Sequence, residues 1–89
     1  MITIKLAKHY QDDIATYELP LPKEVESDGY FILKFKTPKD FLLYSMKLVD
    51  IRDRLEFEII MRSKVEKYRK LVFCKKLIQF IEAHKSNLN

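Results

Sequence analysis

From residue 39 onward the chain contains neither glycine nor proline, and this constrains its fold more than any other feature. Without these breakers the expected structures are long helices, and the clearest is predicted over residues 63–85. It opens with a capping box, in which the hydroxyl of Ser63 accepts from the amide of Glu66 and the Glu66 carboxylate reaches back to the Ser63 amide. From Leu71 onward, apolar side chains at helical spacing cover about half of the circumference. The sequence therefore predicts one long, basic, amphipathic C-terminal helix.

Charge sets this helix apart from the rest of the chain. The formal net charge is +4, but residues 1–61 hold 9 Lys and Arg against 11 Asp and Glu, whereas residues 62–89 hold 8 against 2. A basic end on a nearly neutral body is typical of a protein that meets an anionic partner, although lysines also simply keep an exposed helix in solution. The residues predicted to bind nucleic acid or an acidic partner are Arg62, Lys64, Lys67, Tyr68, Arg69, Lys70, Lys75 and Lys76.

Any contact of this segment with DNA or RNA is expected to be directed at phosphates. Lysine outnumbers arginine 13 to 4 in the chain. Phosphate attraction needs only positive charge, whereas reading bases favours the planar fork of arginine. Binding should therefore be weakly sequence-specific, and Tyr68 is placed either to stack on a base or to pack on a partner.

The first part of the chain, residues 1–36, is predicted to be mainly β, because apolar and polar residues alternate in it. The expected elements are strands at residues 2–7, 14–19 and 30–36, a polar turn at 8–13, an acidic connection at 23–27 and a turn at Asp28-Gly29. The last strand is the clearest, with Phe31, Leu33 and Phe35 directed toward the core. A helix is predicted next, over residues 38–51, because Thr37 is a good cap and Pro38 suits the first helical position.

Residues 52–62 match two patterns. Leu55, Phe57 and Ile59 alternate with two glutamates, which favours a strand over residues 55–61 with these three side chains in the core. Leu55 and Ile59 also continue the helical spacing of the preceding apolar residues. The alternative is therefore a helical hairpin with its turn near Arg62 and Ser63.

Together these elements predict an α+β fold. The preferred form is a small two-layer β-β-β-α-β-α domain of residues 1–89, with both helices on one face of the sheet. On the open face, Lys34 and Lys36 are expected to pair with Glu56 and Glu58 across adjacent strands. The alternative is an N-terminal β-sheet followed by a C-terminal helical hairpin.

The chain lacks the residue patterns of an enzyme. One glycine cannot build a phosphate loop or a dinucleotide-binding fingerprint, and no serine lies in a nucleophile elbow. Cys74 is the only cysteine, so an intramolecular disulfide is excluded and a small buried hydrophobe is expected. His9, Asp12 and Asp13 are more typical of a polar loop than of a metal site. We therefore expect no catalytic residue, metal or cofactor.

Two classes of function remain open on these grounds. The first is a nucleic-acid-associated module; the second is a protein-interaction module (an adaptor, inhibitor or assembly factor) of the kind frequent among phage and plasmid accessory proteins. A homo-oligomer suits either, because so small a domain has little interior for 47% apolar residues. Phe73, Leu77 and Phe80, on the wide apolar arc of the last helix, are the predicted interface.

Nothing in the sequence predicts a membrane protein. The longest apolar runs are four residues, far below the ~20 that span a bilayer. The first five residues also lack the basic region and apolar run of a signal peptide. A cytoplasmic protein without a transmembrane segment is therefore expected.

Overall fold

Residues 1–85 are described by a computed structural model, in which they form one three-stranded sheet and three α-helices. In chain order the elements are β1 (Ile2–Leu6), α1 (His9–Thr16), β2 (Glu24–Asp28), β3 (Tyr30–Phe35), α2 (Pro38–Arg62), a 3-10 turn (Val65–Lys67) and α3 (Tyr68–Ala83). The predicted α+β class is confirmed. The predicted order β-β-β-α-β-α is wrong, because the observed order is β-α-β-β-α-α.

The sheet buries one face and leaves the other open. β3 lies in the centre and pairs antiparallel with β1 on one side and with β2 on the other. Because side chains alternate along a strand, Phe31, Leu33 and Phe35 share one face and are buried, as predicted. Ile4 and Leu6 of β1 pair with this strand and join the same core, to which all three helices contribute.

The lysines of the open face have different partners from those predicted. Lys34 pairs with Glu26 at 2.5 Å and Lys36 pairs with Glu24 at 3.4 Å, so both acids come from β2. The predicted partners Glu56 and Glu58 lie on α2 instead. Exposed pairs of this kind contribute under about 1 kcal/mol each, so they position the edge strand more than they stabilise the fold.

The segment between β1 and β3 differs most from the prediction. The predicted turn at residues 8–13 and strand at 14–19 are wrong, because residues 9–16 form α1. Tyr10 and Ile14, which lie one helical turn apart, are its buried residues. The predicted acidic connection is β2, and it joins β3 through the predicted turn, where Gly29 has a φ of +73°.

The predicted strand at residues 55–61 is also wrong, because α2 runs without interruption from Pro38 to Arg62. Its predicted start is confirmed: the Thr37 hydroxyl accepts from the amide of Asp40 at 3.2 Å. Within the helix Leu55 is buried, whereas Phe57, predicted in the core, is 52% exposed. The helical spacing therefore prevails over the alternation, as in the hairpin alternative.

The turn between α2 and α3 explains why the predicted capping box is absent. Ser63 has a φ of +53° and ends α2 in the left-handed conformation, while the Glu58 carbonyl accepts from the amide of Lys64 at 3.3 Å. Ser63 is therefore a C-terminal cap and not an N-terminal one. The helix predicted over residues 63–85 begins later, at Tyr68, after the 3-10 turn.

α2 and α3 pack side by side to form the helical hairpin. Leu48, Cys74, Leu77 and Ile81 are among the residues buried where this hairpin meets the sheet. The Cys74 thiol donates to the Leu48 carbonyl at 3.5 Å, and burial raises the pKa of the thiol. The expectation of a small buried hydrophobe at this position is confirmed.

Candidate nucleic-acid interface

α3 divides sharply into a buried side and a solvent side. Its buried residues recur at the spacing of one helical face and include Leu71, Leu77 and Ile81. Because residues three, four and seven apart lie together on a helix, the opposite side gathers a defined set of exposed residues. This set, called the α3 face here, consists of Tyr68, Arg69, Val72, Lys75, Lys76 and Gln79.

Two shallow grooves border the α3 face. One runs along α3 itself, and the other lies between α3 and α1, where Asp13 and Tyr17 form the far wall. The Tyr17 ring stacks on Phe73, with 5.4 Å between ring centres, which gives the second groove an aromatic floor. Tyr68 stands at the N-terminal end of both grooves with 59% of its surface exposed. The face thus combines an accessible ring with flanking positive charge.

Two of the predicted binding residues tie α3 to α2. Lys67 forms a hydrogen-bonded ion pair with Glu58, and Lys75 pairs with Glu56 at 3.2 Å. The hydrogen bond from Lys67 lowers the pKa of the Glu58 carboxyl below its ordinary value. Lys67 therefore has a partner within the fold, while Lys75, which is exposed, can still turn toward solvent.

None of the other predicted binding cations forms an ion pair within 4 Å among residues 1–85, although the charges of Arg62 and Lys64 also help to lower the pKa of Glu58. Lys76 lies over the Tyr10 ring at 5.6 Å from its centre, and Arg62 lies over the Phe57 ring at 5.9 Å. Arg69 is exposed on the α3 face, whereas Lys64 in the turn and Lys70 toward α2 are each partly buried. The structure thus brings Tyr68 together with Arg69, Lys75 and Lys76, and it separates the remaining predicted residues from them.

Sequence reasoning missed part of this surface. Val72 and Gln79 lie among the predicted residues on the α3 face, but neither carries charge. Asp13 and Tyr17 were missed because the helix that presents them was predicted as a turn and a strand. Asp13 lies three residues after Tyr10, and Tyr17 lies three residues after Ile14. This helical spacing is the one signal that could have placed them on a helix.

The predicted oligomer interface is largely occupied within the chain. Leu77 is fully buried, and Phe73 packs against Tyr10 with 5.7 Å between ring centres. Phe80 meets the same tyrosine edge-on at 5.5 Å and remains 41% exposed. Self-association through this arc stays a prediction, and of the three residues Phe80 has the most surface to offer.

A further groove lies between the sheet and the start of α2. Its lining holds four lysines (Lys23, Lys34, Lys36 and Lys47) against two acids (Glu24 and Asp40), and two of these lysines, Lys34 and Lys36, are engaged in the ion pairs with β2. The Tyr44 hydroxyl donates to the Pro20 carbonyl at 2.8 Å beside it, and burial raises the pKa of this phenol. Because two of its lysines are held in ion pairs and its aromatic rings are buried, this groove is a weaker candidate for nucleic-acid binding than the α3 face.

Comparison of the chain with protein-family models, with curated proteins and with solved structures finds no match. Within residues 1–85, no three His, Cys, Asp or Glu side chains come together as ligands of a metal ion. In the same part of the chain, no helix combines the length and the apolar character that crossing a bilayer requires.

Proposed function

We propose that the protein is a non-catalytic binding module whose α3 face contacts nucleic acid, mainly at phosphates and with little sequence preference. The observation that carries this proposal is the arrangement of Arg69 and Lys76 beside Tyr68 and Val72 on one accessible helix face. Cations attract the phosphate backbone, and an exposed ring offers a surface on which a base can stack.

The charge at the start of α3 supports this proposal. The first turn of the helix contains no acid, and Lys67, Arg69 and Lys70 lie at its positive end. Helix dipoles disfavour cations there by about 0.3–1 kcal/mol each. Lys67 is paired with Glu58 and serves the fold, whereas the exposed Arg69 has no ion-pair partner among residues 1–85. The same end of the helix suits a bound anion, because the exposed guanidinium of Arg69 attracts it.

Tyr68 indicates which form of nucleic acid should bind better. A stacked base contributes about 1–3 kcal/mol, but the faces of bases are accessible only in single strands. The grooves beside Tyr68 are shallow and lined by side chains of mixed size, which suits a flexible strand. We therefore expect single-stranded DNA or RNA to bind more tightly than duplex.

The test is a salt titration of binding to a fluorescent single strand and to a duplex of unrelated sequence, starting at about 50 mM salt. In the double variant Arg69→Gln/Lys76→Gln, the log–log salt slope for the single strand should become shallower by roughly 0.7 per lost phosphate contact. The control is Lys5→Gln/Lys39→Gln, which removes the same charge from exposed positions on the sheet and at the start of α2. This control should keep nearly the full slope.

Two outcomes would contradict the proposal. The first is no detectable binding of the unaltered protein to either form at about 50 mM salt. The second is an equal loss in both double variants, which would mean that only net charge matters. If an acidic protein competes while nucleic acid does not bind, the α3 face serves the protein-interaction alternative.

A further inference from the structure

The solvent side of α2 carries a row of residues that none of the described elements covers. The row, called the α2 stripe here, consists of Leu43, Met46, Asp50, Asp53, Phe57 and Ile60. It lies on the opposite side of the helix from the buried residues Leu48 and Leu55. Met46 is 62% exposed and Ile60 is 73% exposed, which is unusual for residues of this size on one helix face.

The spacing of the stripe alternates between three and four residues. This is the a/d pattern by which one helix packs against another with side chains interlocked. Leu42 and Met61, both exposed, flank the two apolar ends and widen them. The stripe therefore has an apolar end, a charged middle and a second apolar end.

We propose that two copies of the chain pair through the α2 stripe as an antiparallel, two-fold symmetric dimer. Apolar and acidic residues follow in the same order from either end of the stripe, and their positions are symmetric about a point between residues 51 and 52. Reversing one helix about that point sets Leu43 opposite Ile60 of the second copy, Met46 opposite Phe57, and Asp50 opposite Asp53. Each apolar side chain thereby meets an apolar one, as a self-complementary interface requires.

The charged middle disfavours slipped registers. Lys47 and Arg54 lie three and four residues from Asp50, so they border it on the helix surface. Asp53 has a different partner, because it accepts from the guanidinium of Arg52 at 3.1 Å. Every aspartate thus has a cation beside it on its own helix, which offsets the repulsion where Asp50 of one copy faces Asp53 of the other. A slip of one heptad would place aspartates against Phe57 or Ile60, and a buried charge without a partner is strongly unfavourable.

A second copy suits the stripe better than an unrelated partner. When a helix pairs with a second copy of itself, the order of apolar and charged residues must match in both directions. Binding to an unrelated protein does not require this match. The paired segment spans about 27 Å of helix, so the interface is at the small end of stable ones. Weak, reversible self-association at micromolar concentrations is therefore expected. This inference does not depend on the proposed function, because α3 packs on the other side of α2.

Sedimentation equilibrium between about 5 and 300 μM tests the proposal. The unaltered protein should dimerise, and Met46→Lys/Phe57→Lys should weaken the association by roughly 100-fold or more. Because both side chains are exposed, the circular dichroism of this variant should not change. Val65→Lys, at an equally exposed position outside α2, is the control and should dimerise normally. Phe80→Lys should do the same, whereas a loss there would assign the interface to α3 and overturn the proposal.

Oxidative cross-linking tests the antiparallel register. A mixture of Met46→Cys and Phe57→Cys chains should form the mixed disulfide, whereas Met46→Cys alone should not link to itself. The native Cys74 is buried and is present in every sample. Efficient self-linking of Met46→Cys would indicate a parallel pair and overturn the register. A protein that is still monomeric at 300 μM would overturn the dimer. The same result is expected if another protein or a lipid surface binds the stripe instead.

Discussion

Two alanine substitutions can test whether Leu55 and Phe57 lie on different sides of a helix, as they do in α2, or on the same face of a strand. In a strand both side chains would point into the core, because residues two apart share a face. In the helix they point to different sides: Leu55 is 5% exposed and belongs to the core, whereas Phe57 is half exposed. The two arrangements therefore predict opposite rankings of the stability loss.

The expected magnitudes follow from these environments. Leu55→Ala removes a nearly fully buried side chain and leaves a cavity, which typically costs about 2–5 kcal/mol. Phe57→Ala loses a cation–π contact with Arg62 worth about 0.5 kcal/mol and gains a similar amount of helix propensity. The second substitution should therefore change the free energy of unfolding by less than about 0.5 kcal/mol.

Urea unfolding followed by circular dichroism measures both effects. A chain of this length should have a stability of about 5–13 kcal/mol, so a loss of ~3 kcal/mol leaves Leu55→Ala folded but clearly weakened. With a slope of ~1 kcal/mol per molar urea, its midpoint should fall by about 3 M. Measurement near 5 μM keeps self-association from adding to the stability. A loss in Phe57→Ala that equals or exceeds the loss in Leu55→Ala would refute the helical phase of this segment.

Three further predictions concern single contacts. Thr37→Ala removes the cap that holds the amide of Asp40 and should cost about 0.5–2 kcal/mol in the same urea assay, whereas Thr37→Ser should restore most of it. Glu58→Gln breaks the ion pair with Lys67, which lowers the pKa of the Glu58 carboxyl. The stabilisation from this pair is fully present above the ordinary glutamate pKa of about 4.3, and it is lost as the pH falls through the lowered pKa of Glu58. Thermal unfolding should thus separate the variant from the unaltered protein at pH 7 but not at pH 2. Cys74 should react with iodoacetamide only after unfolding, because burial both shields the thiol and raises its pKa, and rapid labelling of the folded protein would contradict this.

The parts of the fold that the sequence predicted correctly depend on local signals. Thr37 and Pro38 define a helix start by backbone chemistry alone, and the structure confirms it. Phe31, Leu33 and Phe35 alternate in a strand that is buried on one face only, so the period of two is visible. Gly29 marks its turn for a similar reason, since it adopts the positive φ that the hairpin needs.

The errors in the predicted fold arise where the same residues match more than one structural pattern. Leu55, Phe57 and Ile59 alternate as in a strand because Phe57 lies on the solvent side of α2, in the α2 stripe, while Leu55 lies on the buried side. When apolar residues lie on both sides of a helix, some of them fall two residues apart in the sequence, and this spacing resembles the alternation of a strand. Ser63 was misassigned because a serine near a glutamate matches a helix start, whereas the left-handed turn that it forms depends on how α2 and α3 pack.

The candidate site was only partly predictable for the same reason. Net charge identified the segment that carries the α3 face, but charge alone does not separate a cation that faces solvent from one that holds a neighbouring helix. Lys67 belongs to the second group because Glu58 lies across the hairpin, and the predicted strand had placed Glu58 on the sheet. Once the hairpin is known, Arg69 and Lys76 emerge as the accessible cations beside Tyr68.

The most direct measurement of nucleic-acid binding through the α3 face is a titration of the ¹⁵N-labelled protein with an unlabelled single strand of about 12 nucleotides, followed by amide chemical shifts. The largest changes should cluster at Tyr68, Arg69, Val72, Lys76 and Gln79, with smaller ones across the groove on α1. A second strand of unrelated sequence should perturb the same amides to a similar extent, because phosphates carry most of the contact. Changes centred on the open face of the sheet, or no changes at millimolar strand concentration and about 50 mM salt, would contradict the assignment of this face.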